Sequence, residues 1–383
     1  MAVYKLFPYK DTSLYSMYPS MNTGIDPINQ VSNLNFAVDN SPSVARTLVA
    51  FDTNEITDTI NNKVTGSWDA RLKSFIATAQ GIVEDSDVVI FPINKTWNQG
   101  TGTYLDQPIT TDGSCWTSPD FENGSSWDIS GTSGSYVISS YYDADYAPQG
   151  GGSWFVRKSV GGIVTRFKVS QSFGPRSEKD LNVDVTTVVH EWYSGSMNNN
   201  GFVIKWENGA EFATNKQVQP VLQYYSVDTN TIYPPELEIR WDDSTWNPTS
   251  SITELSQPNA FIDLAENPGI FYSESVNRFR INCRPKYPAR VWSTSSLYTK
   301  QYYLPSGSSY FAIKDLDTDE YVVNFDPTYT QISCDYTSSY FDVYMNGLEP
   351  ERYYKILIQV VASGSTTIYD DNYYFKVVNG WAK

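Results

Sequence analysis

Short runs of strand character recur along the chain, separated by long polar loops. Residues 71–79 alternate in part and carry β-branched and aromatic side chains, and 87–93 is an apolar run of strand length. Residues 162–169, 202–206 and 236–241 have the same character, and strands resume at 279–285 and continue to 375–378. Between them, 94–127 and 131–152 are rich in Gly, Ser, Thr, Asp and Trp. Many short strands joined by such loops predict an all-β protein, a sandwich or a barrel. One helix is expected, over 184–195. Asp184 is its cap, Val185, Val188, Val189 and Trp192 form its apolar stripe, and Gly195 is its stop. It is too short to stand alone and must lie on a sheet edge or cap a barrel end.

Residues 242–251 are polar, contain Pro248 and lose the strand pattern. The expected division is therefore a domain over 1–241, a linker over 242–268 and a smaller domain over 269–383, of a size normal for an immunoglobulin-like sandwich. No repeat of fixed period is evident.

Composition narrows the function. The 383 residues hold 27 Lys and Arg against 43 Asp and Glu, a net charge of −16. The basic footprint of nucleic-acid binding is therefore missing. Charged residues are only 18% and aromatics 15%, including 29 Tyr, enough aromatic mass for a packed core. One His and three Cys leave little for metal or nucleophile chemistry. The first residues show no basic segment followed by an apolar one, so no export signal is expected. No apolar run reaches membrane-spanning length, so no membrane insertion is expected. Cys115, Cys283 and Cys334 are odd in number and far apart. Cys283 and Cys334 facing each other across a sandwich is one reading, and reduced thiols packed as small apolar groups is the favoured one.

The order of segments over 1–241 resembles the DNRLRE domain, a jelly-roll-like β-sandwich of secreted, cell-surface and viral structural proteins. The resemblance rests on Asp11 through Gly24 with its Pro19-Ser20-Met21-Asn22-Thr23-Gly24 turn, on Arg46-Thr47-Leu48-Val49-Ala50-Phe51-Asp52, and on Ala70-Arg71-Leu72. It continues with Thr96-Trp97-Asn98-Gln99-Gly100-Thr101-Gly102, Trp116 and Trp127, the 182–195 helix region, Asn200-Gly201-Phe202 and the closing 234–239 strand. The extra length between Trp127 and Gly150 departs from that pattern, so no loop function is carried over. The resemblance implies a fold and no catalytic set, and some relatives sit beside glycan-processing enzymes. Further on, Leu348-Glu349-Pro350 followed by Tyr353 and Tyr354 looks like the corner of fibronectin type III domains. There Leu348 plugs the sandwich and Tyr354 or Tyr353 bonds back to the chain. The fold class expected is thus all-β, a jelly-roll-like sandwich followed by a smaller immunoglobulin/fibronectin-like one. The overall style is similar to virion structural proteins of tailed phages, marine T4-like ones in particular.

Catalysis has few candidates. His190 has no nucleophile elbow to serve and is read as a surface or packing residue. Acid pairs such as Asp85/Asp87, Asp112/Asp120, Asp143/Asp145, Asp242/Asp243 and Asp370/Asp371 are what 43 acids produce by chance, although two carboxylates suffice for glycoside cleavage. No cofactor is expected: the spacing of Asp143/Asp145 and of Asp315/Asp317/Asp319 would suit Ca²⁺, but solvated turn residues are the favoured reading. The stronger signal is aromatic: Trp97, Trp116, Trp127, Tyr141, Tyr142, Tyr146 and Trp154 sit in or beside Gly/Ser-rich loops. They are core plugs, protein-interface anchors or sugar platforms, and are taken as the candidate interface.

The function expected is that of a non-enzymatic virion protein, made in the host cytoplasm and docked into a tail, baseplate, neck or capsid through loops and strand edges. Its partners would be other virion proteins. The alternative is a carbohydrate-binding adhesion module recognising a host surface glycan.

Overall fold

The computed structural model describes residues 2–35, 42–141, 149–213, 220–248, 253–256, 259–265, 267–287 and 302–380. The chain is all-β and forms two compact units: Leu6–Asn61 with Asp69–Glu238, and Met1–Lys5 with Asn62–Trp68 and Ile239–Lys383.

The larger unit is built on one long antiparallel sheet. From edge to edge it runs Val169–Phe173, Ser86–Pro92, Phe202–Trp206, Pro42–Ala50, Ile28–Asn35, Val221–Tyr225 and Ile76–Gln80. Lys10–Tyr15 also pairs with Pro42–Ala50, along Ala45 to Ala50. Val88, Val89, Ile90 and Phe91 are all buried, as is every residue of Phe202–Trp206. Strands buried residue after residue, with Lys205 the one charge among these, are covered on both faces. One face packs against the Thr186–Tyr193 helix, with Trp192 and Phe202 ring centroids 4.7 Å apart. The other face lies under four tryptophans described below. A small separate sheet runs Ile163–Arg166, Trp154–Val160, Tyr136–Ser139 and Gly131–Ser133.

Two expected strands are each divided. Residues 71–79 fall into Trp68–Ser74, which pairs with Leu181–Asp184, and Ile76–Gln80, which joins the long sheet; Phe75 marks the switch. Residues 162–169 divide likewise at the buried Phe167, between Ile163–Arg166 and Val169–Phe173. A period of two persists through such a switch, so the pattern alone shows one strand. The expected helix forms as Thr186–Tyr193. Asp184 Oδ1 accepts the Thr186 N–H, but Val185 holds the cap position. Among the described residues two further α-helices occur, Thr53–Asn62 and the one-turn Asn208–Glu211. The first buries only Ile56, Thr59 and Ile60, a stripe too narrow and too polar to stand out.

The smaller unit is a sandwich of two sheets. One runs Ala260–Ala265, Val276–Pro285, Ser339–Tyr344, Ser333–Cys334; the other Ile270–Tyr272, Ser365–Val378, Tyr353–Ala362, Ser309–Asp315, Tyr321–Val323. Stacked phenylalanines fill the space between them, with Phe341 4.2 Å from Phe311 and 5.3 Å from Phe279 by ring centroids. Leu348 is buried and the Tyr354 hydroxyl donates to the Glu349 carbonyl at 3.1 Å, while Tyr353 faces outward. Tyr354, not Tyr353, is therefore the corner residue.

The expected boundaries need correction in two places. The 242–268 linker contains the Ala260–Ala265 strand, whose Ile262 and Leu264 are core residues, and Leu255 is buried beside them. Its alternation is short and flanked by Pro and Ser, which hid it. Residues 1–5, expected in the first domain, belong to the second unit: Ala2 accepts the Trp241 N–H, Lys5 accepts from Asn346, and Val3 enters that core. Cys283 and Cys334 are free and lie in the same sheet, so they do not face each other across the sandwich.

Candidate functional site

In the larger unit, two loops are locked together by one side chain. Asn22 is fully buried, and its amide donates to the Gln99 carbonyl at 2.6 Å and the Ser114 carbonyl at 2.9 Å. Its carbonyl accepts the N–H groups of Gly24 and Gly102 at 3.0 and 2.9 Å. With both donors and its acceptor used, the amide is satisfied in the core. Close packing explains the glycines. A Cβ on Gly100, which has φ +78°, would lie 2.4 Å from Asn22 Oδ1, and one on Gly24 would lie 2.1 Å from the Gln99 oxygen. The turn at 19–24 and the loop at 96–102, distant in sequence, thus form one rigid piece.

The four tryptophans expected as interface candidates are core residues. Trp97, Trp116, Trp127 and Trp154 are all buried and pack with Leu48, Val89, Phe91 and Val203 of the long sheet. Trp97 Nε1 donates to the Asn200 carbonyl at 2.8 Å and Trp127 Nε1 to the Cys115 carbonyl at 3.1 Å. Trp154 stacks on Phe91. Each indole is committed to the floor of the loops, because an apolar sheet face needs a cover that Gly and Ser cannot supply.

A charged cluster is sealed beneath them. Arg46 and Glu211 are both wholly buried and joined in a forked pair at 2.7 and 3.0 Å. Lys205 reaches the same carboxylate at 2.8 Å. Burial pushes the Glu211 carboxyl up, but Arg46 and then Lys205 outweigh it and hold the group below its ordinary value. Burial lowers the Lys205 ammonium to about 8. Arg46 also donates to the carbonyls of Gly151 and Tyr141 at 2.6 and 2.8 Å, and its guanidinium lies against the Trp116 and Trp154 rings. The cluster clamps both ends of the 141–151 segment onto the sheet.

Apart from the tryptophan floor, over the small cluster of Tyr15, Met21 and Ala45, two loops present an apolar surface that the sequence pattern did not show. Ile25 N–H donates to the Gly102 carbonyl and Tyr104 N–H to Asp26, so loops 17–26 and 101–112 adjoin. Met17, Ile25, Tyr104, Leu105 and Ile109 are exposed there. The Tyr104 ring leans on Tyr15 at 4.8 Å and Tyr18 at 6.3 Å, which fixes its direction. Asp26, Asp106, Asp112 and Asp228 form an acidic rim. Three are tied to the loops, Asp26 to Ile28 in its own turn and to Tyr104 across in the other loop, Asp106 to Thr103 and Thr110, and Asp112 to Thr101. Thr and Asp turn signals were visible in the sequence, but not which apolar residues they would hold outward.

Of the remaining candidates, Tyr141 is exposed with its ring edge-on to Phe212, and Tyr142 and Tyr146 lie outside the described residues, as do Asp143 and Asp145. His190 is exposed on its helix. The Asp315–Asp319 turn is neutralised by its own chain: Arg352 forks onto Asp315 at 2.6 and 2.7 Å and Lys314 binds Asp319 at 2.8 Å. Among the described residues, no group of three or more His, Cys, Asp or Glu is arranged to hold a metal ion.

No family model matches the chain, and no curated protein matches it. A DUF4785 family protein from Legionella pneumophila aligns in structure over 99% of this chain at 7% identity, with a TM-score of 0.18. The chain spans 62% of that protein's length, and a likeness this slight carries no inference.

Proposed function

We propose that this is a non-enzymatic structural protein that docks into a larger assembly, a tailed-phage virion, through the 17–26 and 101–112 loops. The observation that carries the reading is the exposed apolar group of Met17, Ile25, Tyr104, Leu105 and Ile109 on two adjoining loops, with Tyr104 seated on Tyr15 and Tyr18. Exposed apolar side chains gathered on preorganised loops suit a persistent protein interface, because little entropy is lost on docking. The virion setting rests on the resemblance of sequence style set out above.

The glycan-binding alternative is less well supported. A sugar needs polar groups beside the stacking ring, and here the Asp26 and Asp106 carboxylates are already bound within the two loops. The test is Tyr104→Ser/Ile109→Ser in the full chain. The variant should keep its near-UV dichroism and lose incorporation into particles, since each buried anchor is worth about 2 kcal/mol or more. Normal incorporation, with host attachment of the parent blocked by a soluble sugar, would give the glycan reading the better case.

A further inference from the structure

The hairpin of Trp154–Val160 and Ile163–Arg166 has features that its own fold does not use. Its two-residue turn is Gly161-Gly162, with φ +58° and +82°, the left-handed pair that suits a tight, twisted hairpin. A Cβ on either glycine would meet nothing within 4 Å, so the tip stands free. That free tip is apolar: Val160, Ile163 and Val164 are 55%, 74% and 47% exposed. Further back, Arg157 lies directly opposite Arg166 in the register, and both are exposed. Like charges placed opposite each other in a sheet are unfavourable. Among the described residues neither arginine has an ion pair, whereas the neighbouring Lys158 and Lys168 are paired with Glu191 and Glu207.

The same unit carries the complement. The 17–26 and 101–112 loops offer exposed apolar side chains with Asp26, Asp106, Asp112 and Asp228 beside them, where the hairpin offers an apolar tip with a basic base. We infer that the hairpin of one copy docks onto the loop surface of a second copy, head to tail. This rests on the loops being the docking surface, and it names their partner as another molecule of the same chain. The two contacting surfaces differ, so the contact is heterologous and repeats into a ring or an open filament rather than stopping at a dimer. An apolar tip with basic flanks is also a shape that suits a lipid surface, but a chain with a net charge of −16 is repelled by anionic headgroups.

The experiment is sedimentation velocity of the full chain up to about 1 mM, where an interface of roughly 4 kcal/mol is half occupied. The parent should form species larger than dimers. Arg157→Glu/Arg166→Glu on the hairpin and Tyr104→Ser/Ile109→Ser on the loops should each weaken association about tenfold or more. Ile163→Ser/Val164→Ser at the free tip should act like the arginine pair without altering dichroism. Mixed one to one, the arginine variant and the loop variant should form a heterodimer and stop there, because only one intact hairpin and one intact loop surface remain. A monomeric parent, association untouched by either variant, or a mixture that behaves as its separate components would overturn the inference. So would a monomeric parent that floats with phosphatidylcholine/phosphatidylglycerol vesicles through Ile163 and Val164. If the parent is monomeric but the loop variant is still excluded from particles, the loops remain a docking surface and only the second copy is lost as its partner. If the parent assembles but the loop variant enters particles normally, the fault lies with the proposed docking into other virion proteins.

Discussion

Replacing Arg46 by Met keeps the hydrocarbon stem beneath Trp116 and Trp154 and removes the charged fork. Three acceptors lose their donor at once: the Glu211 carboxylate and the carbonyls of Gly151 and Tyr141. Breaking a buried ion pair from one side costs about 3–5 kcal/mol. Lys205 still touches Glu211, which argues for the lower end, while the two orphaned carbonyls argue for the upper. Urea unfolding followed by tryptophan fluorescence reads the larger unit, whose Trp97, Trp116, Trp127 and Trp154 share this core. With a slope of about 2–3 kcal/mol per molar urea, the midpoint should fall by about 1–2 M. Glu211→Gln should cost at least as much, since it leaves two buried cations without a counter-charge. Arg46→Met/Glu211→Leu/Lys205→Met should recover most of the loss, because the desolvation penalty disappears with the charges. A loss below about 1 kcal/mol for Arg46→Met, or a triple variant worse than either single one, would refute the clamp reasoning.

Asp11 is buried, and both its donors, Asn29 Nδ2 and Val227 N–H, converge on one oxygen, as a neutral carboxyl allows. Burial pushes it up to about 7, so the folded state holds a proton that the unfolded state has lost between about pH 4 and pH 7. Stability should therefore decline as pH rises through that window, and Asp11→Asn should flatten this part of the curve; an unchanged slope in denaturation from pH 4 to 7 would count against it. Tyr354→Phe should cost about 1 kcal/mol in the smaller unit by removing the bond to Glu349, and a thermal midpoint equal to the parent's would argue against the corner. Burial raises the Cys283 and Cys334 thiols to about 12 and about 11, so a thiol reagent at pH 8 should label them only on unfolding; prompt native labelling would contradict the burial.

The strands at 202–206 and 236–241 were legible to the residue, because a covered strand needs an unbroken or alternating apolar run and nothing else competes for those positions. The Thr186–Tyr193 helix was legible from its stripe and the buried Leu348 from its spacing, but which of Tyr353 and Tyr354 bonds back was decided only by the fold. The sheet switches at Phe75 and Phe167 were not, since a chain can change partners without changing its period. Nor was the strand at 260–265, which is too short to rise above its polar flanks.

The site divided in the same way. Sequence alone determined that this chain is acidic, all-β and provided with aromatic loops, properties that depend on composition and local period. Only tertiary structure decided which aromatics are floor and which are face. Trp97, Trp116, Trp127 and Trp154 turn inward because the sheet beneath them is apolar, and Tyr104 points outward because Tyr15 and Tyr18 hold it there. Likewise Arg46 and Glu211 are 165 positions apart, and Asn22 bonds to Gln99 across 77. Burial and pairing over such separations depend on which segments the fold brings together, and no local pattern records that.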